Sequence, residues 1–426
     1  MISPDLQMFK LIIHFSICLS LFPLIHSGLI PRTPKLHSVE EGKGKLFFAL
    51  DVWGLGKLHG RKIEWYNVTT EDGYILALHR ILPNSSMDEE KSPRPVVFLQ
   101  HGLMATSDAF IVYGSPKSLG YQLSDAGYDV WMGNFRGNTY CLSHETLFTD
   151  DSKFWDFSMD EYALQDLPAQ IDFALKTANQ STLSFIGHSL GATTHIMLLS
   201  ARPEYNKKMD FVVYFAPVVY SVTRTHLRDI LPAVALIPQI FSRNGAVEVF
   251  SQKILSPLTI YFCASTRSLL ELCQSWMDQL VGYDRDQFDL REFLGVMSYY
   301  PAGTSAKVIF HYSQQTLTGT FRRYDYLTSE LNIQHYGTPV APDYDVSAID
   351  VPQMAIFRGP GDVVTTEEDM KFFIQSLSPQ QSVIYETVKF PTFNHGAFIS
   401  ARDLKPLVND LVLEYLQKYY QRKNEP

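Results

Sequence analysis

Ser189 stands in Thr182-Leu183-Ser184-Phe185-Ile186-Gly187-His188-Ser189-Leu190-Gly191-Ala192, where Gly-His-Ser-Leu-Gly matches the G-x-S-x-G nucleophile elbow. Such a turn exposes a serine hydroxyl between a strand and a helix, and the flanking glycines let the two approach closely. A serine hydroxyl is a weak nucleophile unless a base takes its proton, and the base needs an acid to orient it. In the chain order nucleophile, acid, base, the choice narrows quickly. Of 13 histidines only His395, in Phe393-Asn394-His395-Gly396, lies beyond Asp362. Asp362 ends the turn Gly359-Pro360-Gly361-Asp362 after an apolar segment, whereas Asp345 and Asp350 precede that segment and are less well placed. Attack on an acyl carbonyl develops an oxyanion, which two backbone N–H groups can hold. Leu190, the residue after the nucleophile, supplies one. Leu103, in His101-Gly102-Leu103 after an apolar strand, supplies the other. The chemistry these residues could perform together is acyl transfer through a serine ester.

The elements needed to position them are legible as alternating strands and helices. Leu183–Ile186 reads as a buried strand and 190–202 as a helix. Lys62–Thr70 and Tyr74–Leu82 flank Glu71-Asp72-Gly73, a hairpin signal. Val96–Gln100, Tyr128–Met132, Phe211–Phe215, Met354–Phe357 and Val383–Phe390 read as further strands. Helices are expected over 121–126, 160–179, 366–376 and 404–419. The alternation implies βαβ units and an α/β fold with a mostly parallel central sheet. It breaks after Pro217, where a mainly helical insertion rich in apolar and aromatic residues follows. The expected organisation is a signal peptide over 1–27, core over 28–218, helical cap over 219–345, and core again over 346–426. Within the cap, Ile230–Phe241 is the most apolar stretch. Pro232 and Pro238 argue against one regular helix there, and part of the stretch is expected to line an acyl pocket or meet lipid.

Composition bounds the partners. The 426-residue chain is 46% hydrophobic, enough for a large core, and its 36 basic and 45 acidic residues leave a net charge of −9. Without a basic block, nucleic acid is not an expected partner. No H-E-x-x-H spacing and no phosphate loop appear in the sequence, so neither a metal nor a cofactor is expected. Lys10 and the apolar run 11–25, followed by Ser27-Gly28, read as a secretory signal, with Met8 an alternative start. The mature chain is expected to have no transmembrane segment. Asn67-Val68-Thr69, Asn84-Ser85-Ser86 and Asn179-Gln180-Ser181 are glycosylation acceptors that agree with secretion. Cys18 leaves with the signal. Among Cys141, Cys263 and Cys273 only one pair can form, and the neighbours Cys263 and Cys273 are the candidates for a local disulfide in an oxidising compartment.

Several ordered blocks resemble the acid lipases, the family that includes gastric and lysosomal acid lipase. They are Thr70-Glu71-Asp72-Gly73-Tyr74-Ile75-Leu76, Leu99-Gln100-His101-Gly102-Leu103, Gly133-Asn134-Phe135-Arg136-Gly137-Asn138-Thr139, Phe154-Trp155-Asp156-Phe157-Ser158, Pro301-Ala302-Gly303-Thr304-Ser305 and Tyr324-Asp325-Tyr326. The resemblance spans nearly all of the mature chain. It implies an α/β-hydrolase core under a helical cap and hydrolysis of neutral lipid esters, triacylglycerol or cholesteryl ester, at a lipid–water interface. It places the triad on Ser189, Asp362 and His395 and the oxyanion donors on Leu103 and Leu190. It implies secretion, to the gut lumen for instance, or the lysosome as the alternative. A lipid-binding carrier and an esterase for soluble acyl groups are the competing functions. The sequence departs from the family at Leu190, usually Gln, and at Gly396-Ala397, usually Leu-Asp.

Overall fold

The computed structural model describes residues 50–82, 94–241, 246–288, 290–423 and 425. The expected signal segment and Asn84 lie outside them.

Among the described residues the main sheet has nine strands, eight of them in one continuous path. These are β1 (Ile63–Thr69), β2 (Tyr74–Ile81), β3 (Val96–Gln100), β4 (Asp129–Gly133), β5 (Leu183–His188), β6 (Met209–Phe215), β7 (Met354–Arg358) and β8 (Val383–Thr387). They lie in the order β1-β2-β4-β3-β5-β6-β7-β8, and a two-residue strand, Ser143–His144, pairs onto β2. The turn at Asp72-Gly73 sets an antiparallel register from Thr69 opposite Ile75 to Ile63 opposite Ile81. β2 runs antiparallel to β4, and every pair from β4 to β8 is parallel. Strands β3, β5, β6 and β7 are buried along their whole length. Their residues alternate between two cores: Val96, Phe98, Phe185, Tyr214 and Ile356 on one face, Val97, Leu99, Ile186, Val213 and Phe357 on the other. A parallel sheet covered on both faces requires this near-continuous apolar sequence.

The helices of the core are α1 (Leu119–Asp125), α2 (Leu167–Ala178) and α3 (Leu190–Ala201). A π-helical stretch, Tyr162–Asp166, precedes α2, and Asn179 closes it in the left-handed conformation. Between β6 and β7 come α4 (His226–Phe241), α5 (Gln252–Ala264), α6 (Arg267–Val281), α7 (Leu290–Tyr299), α8 (Ala306–Thr318) and α9 (Ser329–Tyr336). After β7 follow α10 (Glu367–Ser376), with Thr366 and Asp369 forming a capping box, and α11 (Asp410–Lys423).

Two expectations change. Ile230–Phe241 is not interrupted: α4 continues through Pro232 and Pro238. Each proline costs a backbone hydrogen bond, but the helix is amphipathic, with Ala235 buried and Leu236 48% exposed. Packing of one face outweighs the local penalty. The strand expected over 383–390 stops at Thr387; the Val388 N–H still donates to Arg358 O of β7 at 2.9 Å, and Phe390 O accepts from Phe393 N–H at 3.1 Å at the start of the His395 loop. Val52–Leu58, which has no clear period, forms a helix capped by the Asp51 carboxylate on Gly54 N–H.

The insertion has small cores of its own. Cys263 and Cys273 are bonded and join α5 to α6, and Cys263 packs with Phe293 and Met297 of α7. Ala235, Ile309, Phe310 and Tyr324 form another cluster, against which Leu103 packs. Cys141 is a buried free thiol.

Candidate active site

The elbow follows from glycine geometry. Ser189 links β5 to α3 with φ 52° and ψ −118°, a conformation costly for a residue with a Cβ. Its N–H donates to Phe215 O at 2.8 Å, which fixes the turn to β6. A Cβ on Gly187 would lie 2.6 Å from Ala192 N, and one on Gly191 would lie 2.4 Å from Gln100 O. Neither contact is tolerable, so both positions demand glycine. α3 thereby abuts the end of β3, and the loop after β3 reaches Ser189: a Cβ on Gly102 would be 3.2 Å from Ser189 Cβ.

The structure brings Ser189, His395 and Asp362 together. Ser189 Oγ lies 2.8 Å from His395 Nε2, and His395 Nδ1 lies 2.8 Å from Asp362 Oδ2. A carboxylate only accepts, so Nδ1 carries the proton and Nε2 is free to accept from the serine. Asp362 is held by its own loop: Oδ1 accepts from Val364 N–H at 2.7 Å and Thr365 N–H at 2.9 Å, and Oδ2 from Thr365 Oγ1 at 2.7 Å. All three side chains are buried. Asp345 caps an exposed turn through Ser347, and the Asp350 N–H donates to Asn206, so neither alternative acid joins the cluster.

Leu190 opens α3, where a first-turn N–H has no partner within the helix. Leu103 follows Gly102 in the loop that touches Ser189. That loop is supported by residues whose contribution no spacing rule announces. His101 Nδ1 donates to Gly102 O at 2.8 Å, while its Nε2 accepts from Phe135 N–H at 3.2 Å. Asn138 Nδ2 lies 3.2 Å from the same Nε2 and 3.0 Å from Asn134 Oδ1. Burial lowers the His101 pKa to about 4, so the ring stays neutral. Arg136, wholly buried, anchors its own segment, 134–138, between Asp166 at 2.7 Å and Asp72 at 2.5 Å. The block Asn134–Asn138 thus braces His101 at the start of the loop that carries Leu103. His188 is also neutral: burial, followed by the proximity of His395, depresses its pKa to about 3. Its Nε2–H donates to His395 O at 3.0 Å.

Among the described residues no cluster of His, Cys, Asp and Glu is arranged to hold a metal ion, and no helix is long and apolar enough to cross a membrane. Asn67 is exposed on β1, where its Oδ1 accepts from Trp65 Nε1 at 3.0 Å; Asn179 is exposed at the end of α2.

A sheet in this order, with serine, acid and histidine at the carboxyl ends of its strands, defines an α/β hydrolase. Residues 95–217 match the family described as alpha/beta hydrolase fold, and residues 54–114 match the partial alpha/beta-hydrolase lipase region. The chain is 33% identical to lipase member N of Mus musculus over 85% of its own length and 89% of that protein's. It is 35% identical to human gastric triacylglycerol lipase over 82% and 86% of the two chains. Lipase 1 of Drosophila melanogaster is 34% identical over 84% and 78%. A solved structure from Sulfolobus solfataricus, 12% identical, superposes with a TM-score of 0.54 over 83% of this chain and 99% of that one, which shows the fold. The chain belongs to the lipase family of the α/β hydrolases.

Proposed function

We propose that this lipase hydrolyses carboxylic esters of neutral lipids, triacylglycerol or cholesteryl ester, through an acyl-enzyme on Ser189. The observation that carries this reading is the continuous relay Ser189 Oγ–His395 Nε2, His395 Nδ1–Asp362 Oδ2, with both contacts at 2.8 Å. Ser189 Oγ attacks the ester carbonyl carbon as His395 Nε2 takes its proton. Asp362 keeps the ring oriented and stabilises the imidazolium. The negative oxygen of the tetrahedral intermediate is held by the Leu103 and Leu190 N–H groups. Collapse breaks the acyl C–O bond, and His395 returns the proton to the leaving alcohol. Water, deprotonated by the same ring, then releases the fatty acid and regenerates Ser189. No cofactor takes part.

The helices of the 219–345 insertion act as a cap over the site and supply its apolar walls. Leu103 already packs against the cluster of Ala235, Ile309 and Phe310. The paired Cys263 and Cys273 and the exposed acceptors Asn67 and Asn179 agree with a glycosylated protein of the secretory route, extracellular or lysosomal. Purified protein assayed on triolein and cholesteryl oleate across a pH series tests the function. Absence of turnover on both by folded protein would refute it.

A further inference from the structure

The peptide of His395 is held from two sides, and one of them belongs to the insertion. On the core side, His188 donates to the His395 carbonyl at 3.0 Å. On the other side, the His395 N–H donates to Val281 O at 3.0 Å, at the last residue of α6. The contact is one of a series. Gly282 O accepts from Asn394 Nδ2 at 2.6 Å, and Asp284 Oδ1 accepts from Thr392 Oγ1 at 3.0 Å. The same Oδ1 accepts from Gln287 N–H at 3.2 Å, closing the turn on itself. Gln287 Oε1 accepts from Asp403 N–H at 3.0 Å, which pins the segment to the chain beyond His395.

Gly282 also has the backbone of a wedge. Its φ is +102°, and a Cβ there would lie 2.1 Å from Gly361 O and 3.1 Å from Asn394 Cβ. Gly361 immediately precedes Asp362, and its N–H donates to Phe393 O at 3.0 Å. The insertion therefore packs on both the loop bearing the acid and the loop bearing the base, where the Gly361–Phe393 bond joins them. Asp284 is 2% exposed, and burial raises its pKa, so its role is that of an acceptor at a fixed place rather than a solvated charge.

We infer that Val281–Asp284 is a positioning element for the reaction: it sets the His395 ring relative to Ser189 and Asp362, with Gly282 as the wedge and Asp284 as the tether. The inference rests on the proposed roles of the triad. Its consequence is that seating of the insertion and readiness of the base are one event. If α6 is displaced, the Val281, Gly282 and Asp284 contacts to the His395 loop are lost together.

The test measures kcat and KM on p-nitrophenyl butyrate, a soluble ester, with folding monitored by Tm. Misplacing a catalytic group by about an ångström costs on the order of 10²-fold in rate. Gly282→Ala is expected to lose about that much in kcat, with KM within about twofold. Asp284→Ala is expected to lose roughly tenfold in kcat with the same split, and Asp284→Asn, whose amide oxygen still accepts from Thr392 and Gln287, to recover most of it. Should Gly282→Ala not fold, the contrast between Asp284→Ala and Asp284→Asn decides. Folded variants with the wild-type kcat, or a loss confined to KM, or an Asn variant no better than Ala, would overturn the assignment. A fluorophosphonate labelling Ser189 in the wild type keeps the two readings apart. An active, labelled wild type with unaffected variants removes only the positioning role. A wild type that neither turns over nor labels removes the proposed function and this role with it.

Discussion

Ser189 has its unusual backbone because Gly187 and Gly191 allow β5 and α3 to close on it, and its hydroxyl stands 2.8 Å from His395, the base in the proposed mechanism. Ser189→Ala should therefore abolish ester hydrolysis while leaving Tm close to wild type, since one oxygen is removed from a well-braced turn. Losing a triad member typically removes about four or more decades of rate, and retained turnover would refute the nucleophile. Asp362 is more constrained than its proposed role as orienting acid requires. Each of its oxygens accepts from its own loop, and one also accepts from His395. An amide at this position must turn its NH2 either toward the loop N–H groups or toward His395 Nδ1, and each choice sets donor against donor. Asp362→Asn should cost roughly four decades in kcat, whereas Asp345→Asn, on an exposed turn, should change little. Greater damage from the second substitution in a parallel kinetic assay would reassign the acid.

The pieces that chemistry dictates locally were legible in the sequence at the scale of elements. The strand–Gly-x-Ser-x-Gly–helix unit, the Asp-Gly hairpin and the capped α10 each follow from a few adjacent residues. The candidate residues were narrowed as well, because chain order left one histidine after Asp362, and the structure brings Ser189, His395 and Asp362 together. What local pattern could not carry was anything decided by distant partners. α4 runs through two prolines because one face packs on the insertion's own core, and the last strand ends early where Phe390 O accepts from Phe393 N–H of the His395 loop. The work of His101 and Arg136 is equally hidden. A histidine after a strand reads as a turn residue until Phe135 N–H and Asn138 are seen to converge on its ring. The helix–strand contact yields a direct test. Gly191→Ala sets a methyl 2.4 Å from Gln100 O and 2.6 Å from His101 O, both backbone atoms at the root of the loop that carries Leu103. Overpacking of this kind costs about 1–3 kcal/mol, so Tm should fall by several degrees and kcat should fall with it as Leu103 moves. A variant with unchanged Tm by calorimetry would contradict the close approach.

The whole molecule carries opposing titrations. Burial pushes Asp108 up to about 7, even though Tyr140 and Thr106 hydroxyls donate to it. Its folded pKa exceeds the unfolded value, so the stability it contributes is full below about pH 4 and is lost as pH rises through 7. Burial holds the His79, His188 and His195 pKa values near 3 and that of His101 near 4. Their contribution is present above about pH 6.5 and lost as pH falls, the opposite sign. Asp108→Asn should raise Tm at pH 7 and leave it nearly unchanged at pH 4; an equal shift at both would mean that packing, not charge, is responsible.

The surface of the insertion carries the last prediction. The disulfide-joined pair α5–α6 exposes Leu258 (47%), Tyr261 (80%) and Phe262 (45%), and Leu236 of α4 is 48% exposed. Single exposed apolar residues need no explanation, but several on one helical hairpin of a lipase fit contact with a lipid surface. None of these four side chains belongs to the buried core of the hydrolase. Burying a large apolar side chain in lipid is worth about 1.5–3 kcal/mol. Leu258→Ser combined with Tyr261→Ser should therefore lower activity on emulsified triolein by at least about tenfold. Hydrolysis of soluble p-nitrophenyl butyrate should persist within about twofold, because neither residue reaches the His395 loop or Ser189. Tyr261 is the sharper of the two, since at 80% exposure its removal leaves no cavity. An equal loss on both substrates would show that the hairpin acts through the catalytic residues instead, and a large fall in Tm would show that these side chains hold the insertion together.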